Sequence, residues 1–87
     1  MKIYMISDGV MTNDVMLDEA FVDKKKAYDR CVELAKAQAA YMERMGFRYY
    51  EACGEARVDE KPEKQEAWAI YKKNSRCFKV REINVNE

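Results

Sequence analysis

Apolar side chains recur every three or four positions between Asp23 and Gly46, which is the spacing of one face of an α-helix. Asp23 is the predicted N-cap, because its carboxylate can accept hydrogen bonds from the free amides of the first turn. Gly46 is the predicted residue that ends the helix after Met45. One broad face is expected to pack on a sheet, while Lys36 and Glu43 face water. The predicted packing face consists of Ala27, Tyr28, Cys31, Leu34, Ala35, Gln38, Ala39, Met42 and Met45.

Two strands are predicted before the helix. Residues 2–7 are apolar on both faces, a pattern typical of an interior strand that is covered on both sides. Turn-forming residues follow at positions 8–9 and 12–14. A second, less regular strand over residues 15–22 is expected to return antiparallel to the first.

The chain after Gly46 is harder to assign. The pattern shortens to an alternation with adjacent aromatic residues, which favours a strand over residues 47–53. Residues 54–66 are mostly polar or charged and are predicted to be a connection. A strand is predicted to start at residues 67–71, although Pro62 and the polar residues after it could equally open a short helix, so that strand and helix both stay open for residues 62–71.

A hairpin is predicted to close the chain, with a polar turn over residues 72–76 and a strand that begins at Cys77. The apolar positions of this strand change parity after Val80. The change predicts either a bulge near residues 81–82 or a strand that is apolar first on one side and then on the other.

Together these elements predict a single small α+β domain over residues 1–87. It contains one long helix packed on a mostly antiparallel sheet of four to five strands, in the order ββαβββ or βαβββ. Because one helix covers only one face of a sheet, the other face is left for a partner or a second copy, and Trp68 and Tyr50 are the aromatic residues expected on it. We therefore expect a homodimer.

The composition argues against several classes of function. The chain has sixteen basic and sixteen acidic residues and a formal net charge of zero, unlike strongly basic nucleic-acid binders. It has no histidine, and so no general base with an unperturbed pKa near neutrality. Its few hydroxyl residues have no partner beside them for a catalytic triad, and its three glycines match no phosphate loop. We predict no enzyme activity, no cofactor and no metal site.

The start of the chain reaches Asp8 and Gly9 after a short apolar stretch, so it predicts neither a signal peptide nor a membrane span. The three cysteines, Cys31, Cys53 and Cys77, are odd in number and widely spaced. That usage is typical of reduced thiols in a cytosol. We expect a cytoplasmic protein without an intrachain disulfide and without a membrane partner.

The densest cluster of cations lies at the closing hairpin and is the predicted partner-binding surface, with Tyr71 as a rigid aromatic anchor. The same surface would also suit nucleic acid, with cations along the phosphates and the tyrosine stacked on a base. An alternative anion-binding site is the start of the helix, where three lysines lie at the positive end of the helix dipole. The hairpin set is Tyr71, Lys72, Lys73, Arg76, Lys79 and Arg81, and the helix set is Lys24, Lys25 and Lys26.

Residues 3–9, 19–27 and 78–85 resemble a loose family of small phage and prophage proteins. Those proteins begin with a Val/Ile-Tyr strand that ends in a turn. They enter a helix through a Val-Phe, polar, Lys and Ala pattern and finish with a strand of this kind. Residues 46–70 do not share the resemblance.

The resemblance implies an accessory protein that binds and inhibits a host component in the cytoplasm of a bacterial host. The expected component is a host protein or protein complex of a defence system, such as a CRISPR effector. A protein that sequesters a nucleotide defence signal is the alternative. A nucleic-acid-binding or structural phage protein is the second alternative.

Overall fold

The computed structural model describes residues 1–10, 13–49 and 55–86. One helix packs against a five-stranded antiparallel sheet, which confirms the predicted α+β class and the order ββαβββ. A short 3-10 turn at Pro62–Lys64 precedes the fourth strand. The elements are β1 (Lys2–Val10), β2 (Asn13–Phe21), α1 (Lys24–Tyr49), β3 (Arg57–Lys61), β4 (Glu66–Tyr71) and β5 (Asn74–Asn84).

The strands lie in the order β2-β1-β5-β4-β3, so that the last strand of the chain is the central strand of the sheet. β1 pairs with β2 on one side and with β5 on the other, as predicted for an interior strand. The predicted turn at residues 8–9 is wrong, because β1 continues to Val10, and described elements cover only one face of the strand rather than both. Its register with β2 shifts between Met5 and Ser7. Ile6 of β1 is fully buried beside its register partner Val80, and both belong to the core under the helix.

The helix begins where the sequence predicts. Asp23 accepts the backbone N–H of Lys25 through its Oδ1 at 2.9 Å and the N–H of Ala27 through its backbone carbonyl at 3.1 Å. The predicted end at Gly46 is wrong, because α1 continues to Tyr49 and no described glycine adopts a positive φ. A glycine inside a helix costs only about 1 kcal/mol, which packing of a 26-residue helix can offset. The strand predicted over residues 47–53 is therefore wrong for 47–49, and its remainder lies outside the described residues.

Small side chains form the line along which the helix meets the sheet. Ala27, Cys31 and Ala35 are fully buried and Ala39 nearly so, at intervals of four residues. They belong to the same buried cluster as Ala67 and Ala69 of β4, the strand on which α1 packs most closely. Small residues on both sides allow the helix backbone to come close to the sheet.

The larger residues of the predicted packing face lie beside this line rather than on it. Leu34 and Met42 are half-buried at its margin and pack against the core, and Met45 is half-buried. Lys36 and Glu43 are exposed, as predicted. The predicted orientation of the helix is therefore confirmed, with the centre of its contact shifted onto the alanines.

The predicted connection over residues 54–66 is wrong, because Arg57–Lys61 forms the edge strand β3, paired in register with β4. Val58 is the apolar residue of this strand that packs against the core. The 3-10 turn ends at Gln65, which adopts a left-handed conformation at φ 55 and donates its N–H to the carbonyl of Pro62 at 3.1 Å. The helix and the strand predicted for this segment are therefore each confirmed in part, because a short helical turn at Pro62–Lys64 is followed by the strand Glu66–Tyr71.

The closing hairpin has a tighter turn than predicted. Only residues 72–73 lie between β4 and β5, and β5 begins at Asn74 rather than at Cys77. Pairing of β5 with β1 stays in register from Cys77 to Asn84, through the position of the proposed bulge. Val80 packs under the helix, and Ile83 is half-buried on the other side of the strand. The second alternative, a strand apolar first on one side and then on the other, is therefore the right one.

Candidate binding site

The sheet has two faces, and α1 covers one of them. We call the opposite one the open face, since none of the described elements packs on it. Alternation along each strand sends every second side chain to the open face. Three strands supply its centre, namely β1 with Ile3, Met5, Ser7 and Gly9, β4 with Glu66, Trp68 and Ile70, and β5 with Cys77, Lys79, Arg81 and Ile83.

The six residues of the predicted hairpin surface do not form one surface. Tyr71 is only 1% exposed, so the prediction of an exposed aromatic anchor is wrong. It follows Ala67 and Ala69 at the same parity of β4, and that parity faces the helix. Lys72 and Lys73 are exposed in the turn, and the Lys72 ammonium lies 5.6 Å from the centre of the Tyr71 ring.

Arg76 is also placed differently from the prediction, because it lies on the helix side of β5. Its guanidinium forms an ion pair with both carboxylate oxygens of Asp8, and its Nη1 donates to Gln38 Oε1 at 2.9 Å. The hydrogen bonds from Arg76 to the buried carboxylate of Asp8 raise the pKa of the guanidinium. Arg76 therefore links the sheet to α1. Of the predicted set, Lys79 and Arg81 are the residues on the open face.

The alternative site at the start of α1 keeps its three exposed lysines. Lys24 and Lys25 line a shallow depression of about 370 Å³ together with Tyr28 and Gln65. The Tyr28 hydroxyl is already used, since it donates to the carbonyl of Glu66 at 3.3 Å. No further feature of this depression points to an anion, so the helix-start site stays a prediction.

The register of the sheet brings the open-face residues into two neighbouring rows. In the first row Ser7 lies opposite Lys79, Lys79 opposite Glu66, and Glu66 opposite Lys61. In the second row Gly9 lies opposite Cys77, Cys77 opposite Trp68, and Trp68 opposite Asp59. Trp68 is by far the largest side chain of the second row, and Gly9 and Cys77 beside it are small.

This contrast in size leaves a depression of about 220 Å³ between Trp68 and β1. Gly9 leaves the depression open because it has no side chain. Its backbone does not require a glycine, because no described glycine has a positive φ. The residues that line the depression are Ser7, Gly9, Glu66, Trp68, Cys77, Lys79 and Arg81.

A hydrogen-bonded network holds the walls of the depression. Glu66 accepts the Trp68 indole N–H through Oε2 at 3.0 Å and pairs with the Lys79 ammonium through Oε1 at 3.4 Å. Arg81 Nε donates to Ser7 Oγ at 3.0 Å, and the Ser7 hydroxyl donates to the carbonyl of Lys79 at 3.4 Å. The bond from Trp68, followed by the charge and hydrogen bond of Lys79, lowers the pKa of Glu66 despite its partial burial. Glu66 therefore stays ionised and fixes the orientation of Trp68.

The β3 side of Trp68 is occupied by another cation. The Lys61 ammonium lies 5.8 Å from the centre of the indole ring, within the range of a cation–π contact. Lys61 also lies 4.0 Å from Asp59. Trp68 thus separates Lys61 on one side from the depression, with Lys79 and Arg81, on the other.

The thiols differ in their exposure. Burial, with a smaller contribution from the nearby Cys77, raises the pKa of Cys31 to about 12. Cys31 therefore packs as a small apolar residue, because its thiolate is not populated near neutral pH. Cys77 is half-buried, and its side chain lines the depression. The predicted state of Cys53 lies outside the described residues.

Within residues 1–10, 13–49 and 55–86, no three Cys, Asp or Glu side chains are grouped so that they could hold a metal ion. No helix in that part of the chain is both long and apolar enough to cross a membrane.

Comparison of the chain with protein-family models, with curated proteins and with solved structures found no match. The resemblance to phage accessory proteins is therefore neither supported nor contradicted by other proteins, and it stays a prediction. The case for a function rests on the geometry of the open face.

Sequence reasoning found some parts of this site and missed others. Lys79 and Arg81 belong to the predicted set, and Trp68 was expected on a face without a helix, whereas Glu66 and Gly9 were missed. The alternation of β4, in which Glu66 and Trp68 share a parity opposite to that of Ala67, is the signal that places both on one face. Tyr50, the other aromatic expected on an uncovered face, lies outside the described residues.

Proposed function

We propose that this chain is a non-enzymatic phage accessory protein that binds a host component and inhibits it in the cytoplasm of the bacterial host. The component that the resemblance favours is a protein complex of a defence system, such as a CRISPR effector. The observation that carries the proposal is the open face, where an immobilised tryptophan lies among cations. Within the described residues no element of the chain covers that face.

The arrangement around Trp68 has the character of a binding hot spot. Residues that dominate binding energy are most often Trp, Tyr and Arg, and they act best when they are held in place before the partner arrives. Trp68 is held by Glu66, and Arg81 is held by Ser7. Little side-chain freedom therefore remains to be lost when a partner docks.

The charges of the open face favour an acidic partner surface. Lys61, Lys79 and Arg81 surround Trp68, and the acids among them are Glu66 and Asp59, so that the cations are in excess. A cationic patch of this kind increases the rate of association with an acidic surface and helps to set the orientation of docking. The formal net charge of zero keeps this attraction local rather than general.

The chemistry of the described residues supports binding rather than catalysis. The raised pKa of Cys31 argues against a nucleophilic role for that thiol. Glu66 has a lowered pKa and holds two neighbours, whereas a general acid needs a raised pKa. The side chains of the open face are thus arranged to present a surface.

The expected homodimer involves the same face. Two copies that pack their open faces together would bury Trp68 and leave it unavailable to a host protein. Self-association and partner binding would then exclude each other, and the dimer would be the resting form. The homodimer stays a prediction that a mass measurement in solution can test.

The proposal is tested by plating a CRISPR-targeted phage on cells that carry the CRISPR system and express this chain. The wild-type chain is expected to raise the efficiency of plating, because an inhibited effector no longer destroys the phage genome. The double variant Lys79→Gln/Arg81→Gln is expected to lose this effect. The matched control is Lys24→Gln/Lys25→Gln, which removes the same charge from the exposed start of α1.

A second open-face variant, Trp68→Leu, separates the loss of the aromatic surface from the loss of charge. Melting temperatures of the purified variants show that each one is folded. The proposal is contradicted if the wild-type chain leaves plating unchanged against CRISPR and other defence systems. The role of the open face is contradicted if the Lys24→Gln/Lys25→Gln control loses the effect and the open-face variants keep it.

A further inference from the structure

The depression beside Trp68 has a composition that the proposed contact with a host protein does not require. Its floor is formed by the small residues Ser7, Gly9 and Cys77, and its wall by the Trp68 indole. A volume of about 220 Å³ lies below the range of about 300–1,000 Å³ that is usual for pockets of drug-sized ligands. The depression therefore has room for one planar ring system, while the rest of the ligand lies at the rim.

The wall is rigid, planar and apolar. Because the indole N–H is bonded to Glu66 at 3.0 Å, the ring is fixed before a ligand enters. The Lys61 ammonium lies over the ring at 5.8 Å, and Lys61 belongs to the strand on the far side from β1. An aromatic side chain of this kind is a stacking surface for a nucleobase, since every base has a π-face.

The rim carries positive charge. Lys79 and Arg81 both line the depression, and they are successive open-face residues of β5. Lys79 pairs with Glu66, and Arg81 donates a hydrogen bond through Nε to the Ser7 hydroxyl. An anionic group placed at this rim would meet an ammonium and a guanidinium, the two cations that proteins most often use to bind phosphate.

From these observations we propose that the depression binds one nucleotide, with the base against Trp68 and the phosphate beside Lys79 and Arg81. Glu66 is then a positioning residue that orients both Trp68 and Lys79. The inference goes beyond the proposed function and does not depend on it, because the depression is defined by the protein's own side chains.

A free nucleotide suits this site better than a long nucleic acid does. A nucleic-acid strand that continued from this rim across β1 to the edge strand β2 would leave the cations and pass the exposed acid Asp18. Electrostatic binding of an extended strand needs cations along its whole path. The cationic part of the rim is short enough for one phosphate group.

Trp68 is the single tryptophan of the chain, so its fluorescence reports directly on the site. The purified protein is titrated with adenosine monophosphate at concentrations at which light scattering shows single chains, because a dimer that buries Trp68 would also close the depression. Equilibrium dialysis provides an independent measure of binding. Adenosine monophosphate is expected to quench the emission with saturation. Adenosine and ribose 5-phosphate, which each lack one half of the ligand, are expected to bind at least about tenfold more weakly.

Three variants test the geometry. Gly9→Val places a side chain that suits a strand into the depression and is expected to abolish binding without touching Trp68 or the cations. Lys79→Gln/Arg81→Gln is expected to weaken binding of adenosine monophosphate by about tenfold or more while leaving adenosine unaffected. The control Lys24→Gln/Lys25→Gln is expected to bind like the wild-type protein. Melting temperatures show which variants are folded.

Several results would overturn the inference. If millimolar adenosine monophosphate neither quenches the emission nor binds in equilibrium dialysis, the depression is not a nucleotide site. Unchanged binding by folded Gly9→Val would place the ligand elsewhere, as would loss of binding in the lysine control. Far tighter binding of a single-stranded oligoadenylate RNA would make the ligand a nucleic acid. The plating assay tests the proposed function separately. If the chain rescues the phage but does not bind nucleotide, the proposed function holds and the nucleotide inference is wrong.

Discussion

Replacement of Glu66 by glutamine tests the network that holds the candidate site. Glu66→Gln keeps the shape of the side chain and one acceptor oxygen for the Trp68 N–H, but it removes the charge that pairs with Lys79. The ion pair is partly exposed, with 36% of the Lys79 side chain and 15% of the Glu66 side chain accessible, so its own contribution is about 0.2–1 kcal/mol. A hydrogen bond to a neutral acceptor is also weaker than one to a carboxylate.

The combined loss is about 1 kcal/mol at pH 7, which corresponds to a fall in melting temperature of about 4–8 °C for a domain of this size. The pKa of Glu66 is lower in the folded protein than in the unfolded chain. Its stabilising effect is therefore fully present above the unfolded pKa of about 4.3 and is lost as the pH falls through the folded pKa. The difference between wild-type and Glu66→Gln should accordingly shrink in acid.

Thermal unfolding followed by circular dichroism at pH 7 and at pH 3 measures both effects. Glu82→Gln is the matched control, because Glu82 pairs with Lys2 at 3.6 Å across two largely exposed side chains and should change the melting temperature little. A stabilising role of the Glu66 charge is refuted if Glu66→Gln melts like the wild-type at pH 7, or if its melting temperature lies as far below that of the wild-type at pH 3 as at pH 7.

The remaining predictions concern packing, thiol reactivity and assembly. Ala35→Leu overpacks the close contact between α1 and β4 and is expected to destabilise the protein by about 1–3 kcal/mol. The control Ala40→Leu, on the exposed side of α1, should leave the stability unchanged. Equal melting temperatures of the two variants would contradict the packing. In the native protein iodoacetamide should modify Cys77 much faster than Cys31, because Cys31 is buried and its pKa is raised to about 12. Peptide mass spectrometry measures the two rates, and faster modification of Cys31 would contradict its burial in the core. Light scattering is expected to give twice the chain mass of 10.3 kDa, and the mass of one chain across the micromolar range would rule out the homodimer.

The parts of the fold that follow from local patterns could be predicted from the sequence. The helix start at Asp23 depends on one side chain and its neighbouring amides, and the buried stripe depends on spacing alone. The end of the helix could not be predicted in this way, because Gly46 is compatible both with a helix end and with a helix interior. β3 could not be predicted from its own sequence, because it has only one apolar residue and forms through pairing with β4.

The candidate site was harder to predict than the fold, because its residues meet through strand pairing across the chain. Ser7 and Lys79 are register partners, although 72 positions separate them. Proximity in sequence placed Tyr71 and Arg76 with Lys79, yet the alternation of the strands puts them on the other side of the sheet. Only the register shows that Glu66 lies between Lys79 and Lys61.

The central claim about the site is that a nucleotide binds in the depression of the open face and not at the start of α1. Two-dimensional ¹H–¹⁵N NMR spectra recorded with and without saturating adenosine monophosphate test it most directly, because the indole N–H of Trp68 gives a signal of its own. We expect shifts of that signal and of the Ser7, Gly9 and Cys77 amides. Shifts confined to residues 24–28, with the Trp68 indole signal unmoved, would contradict it.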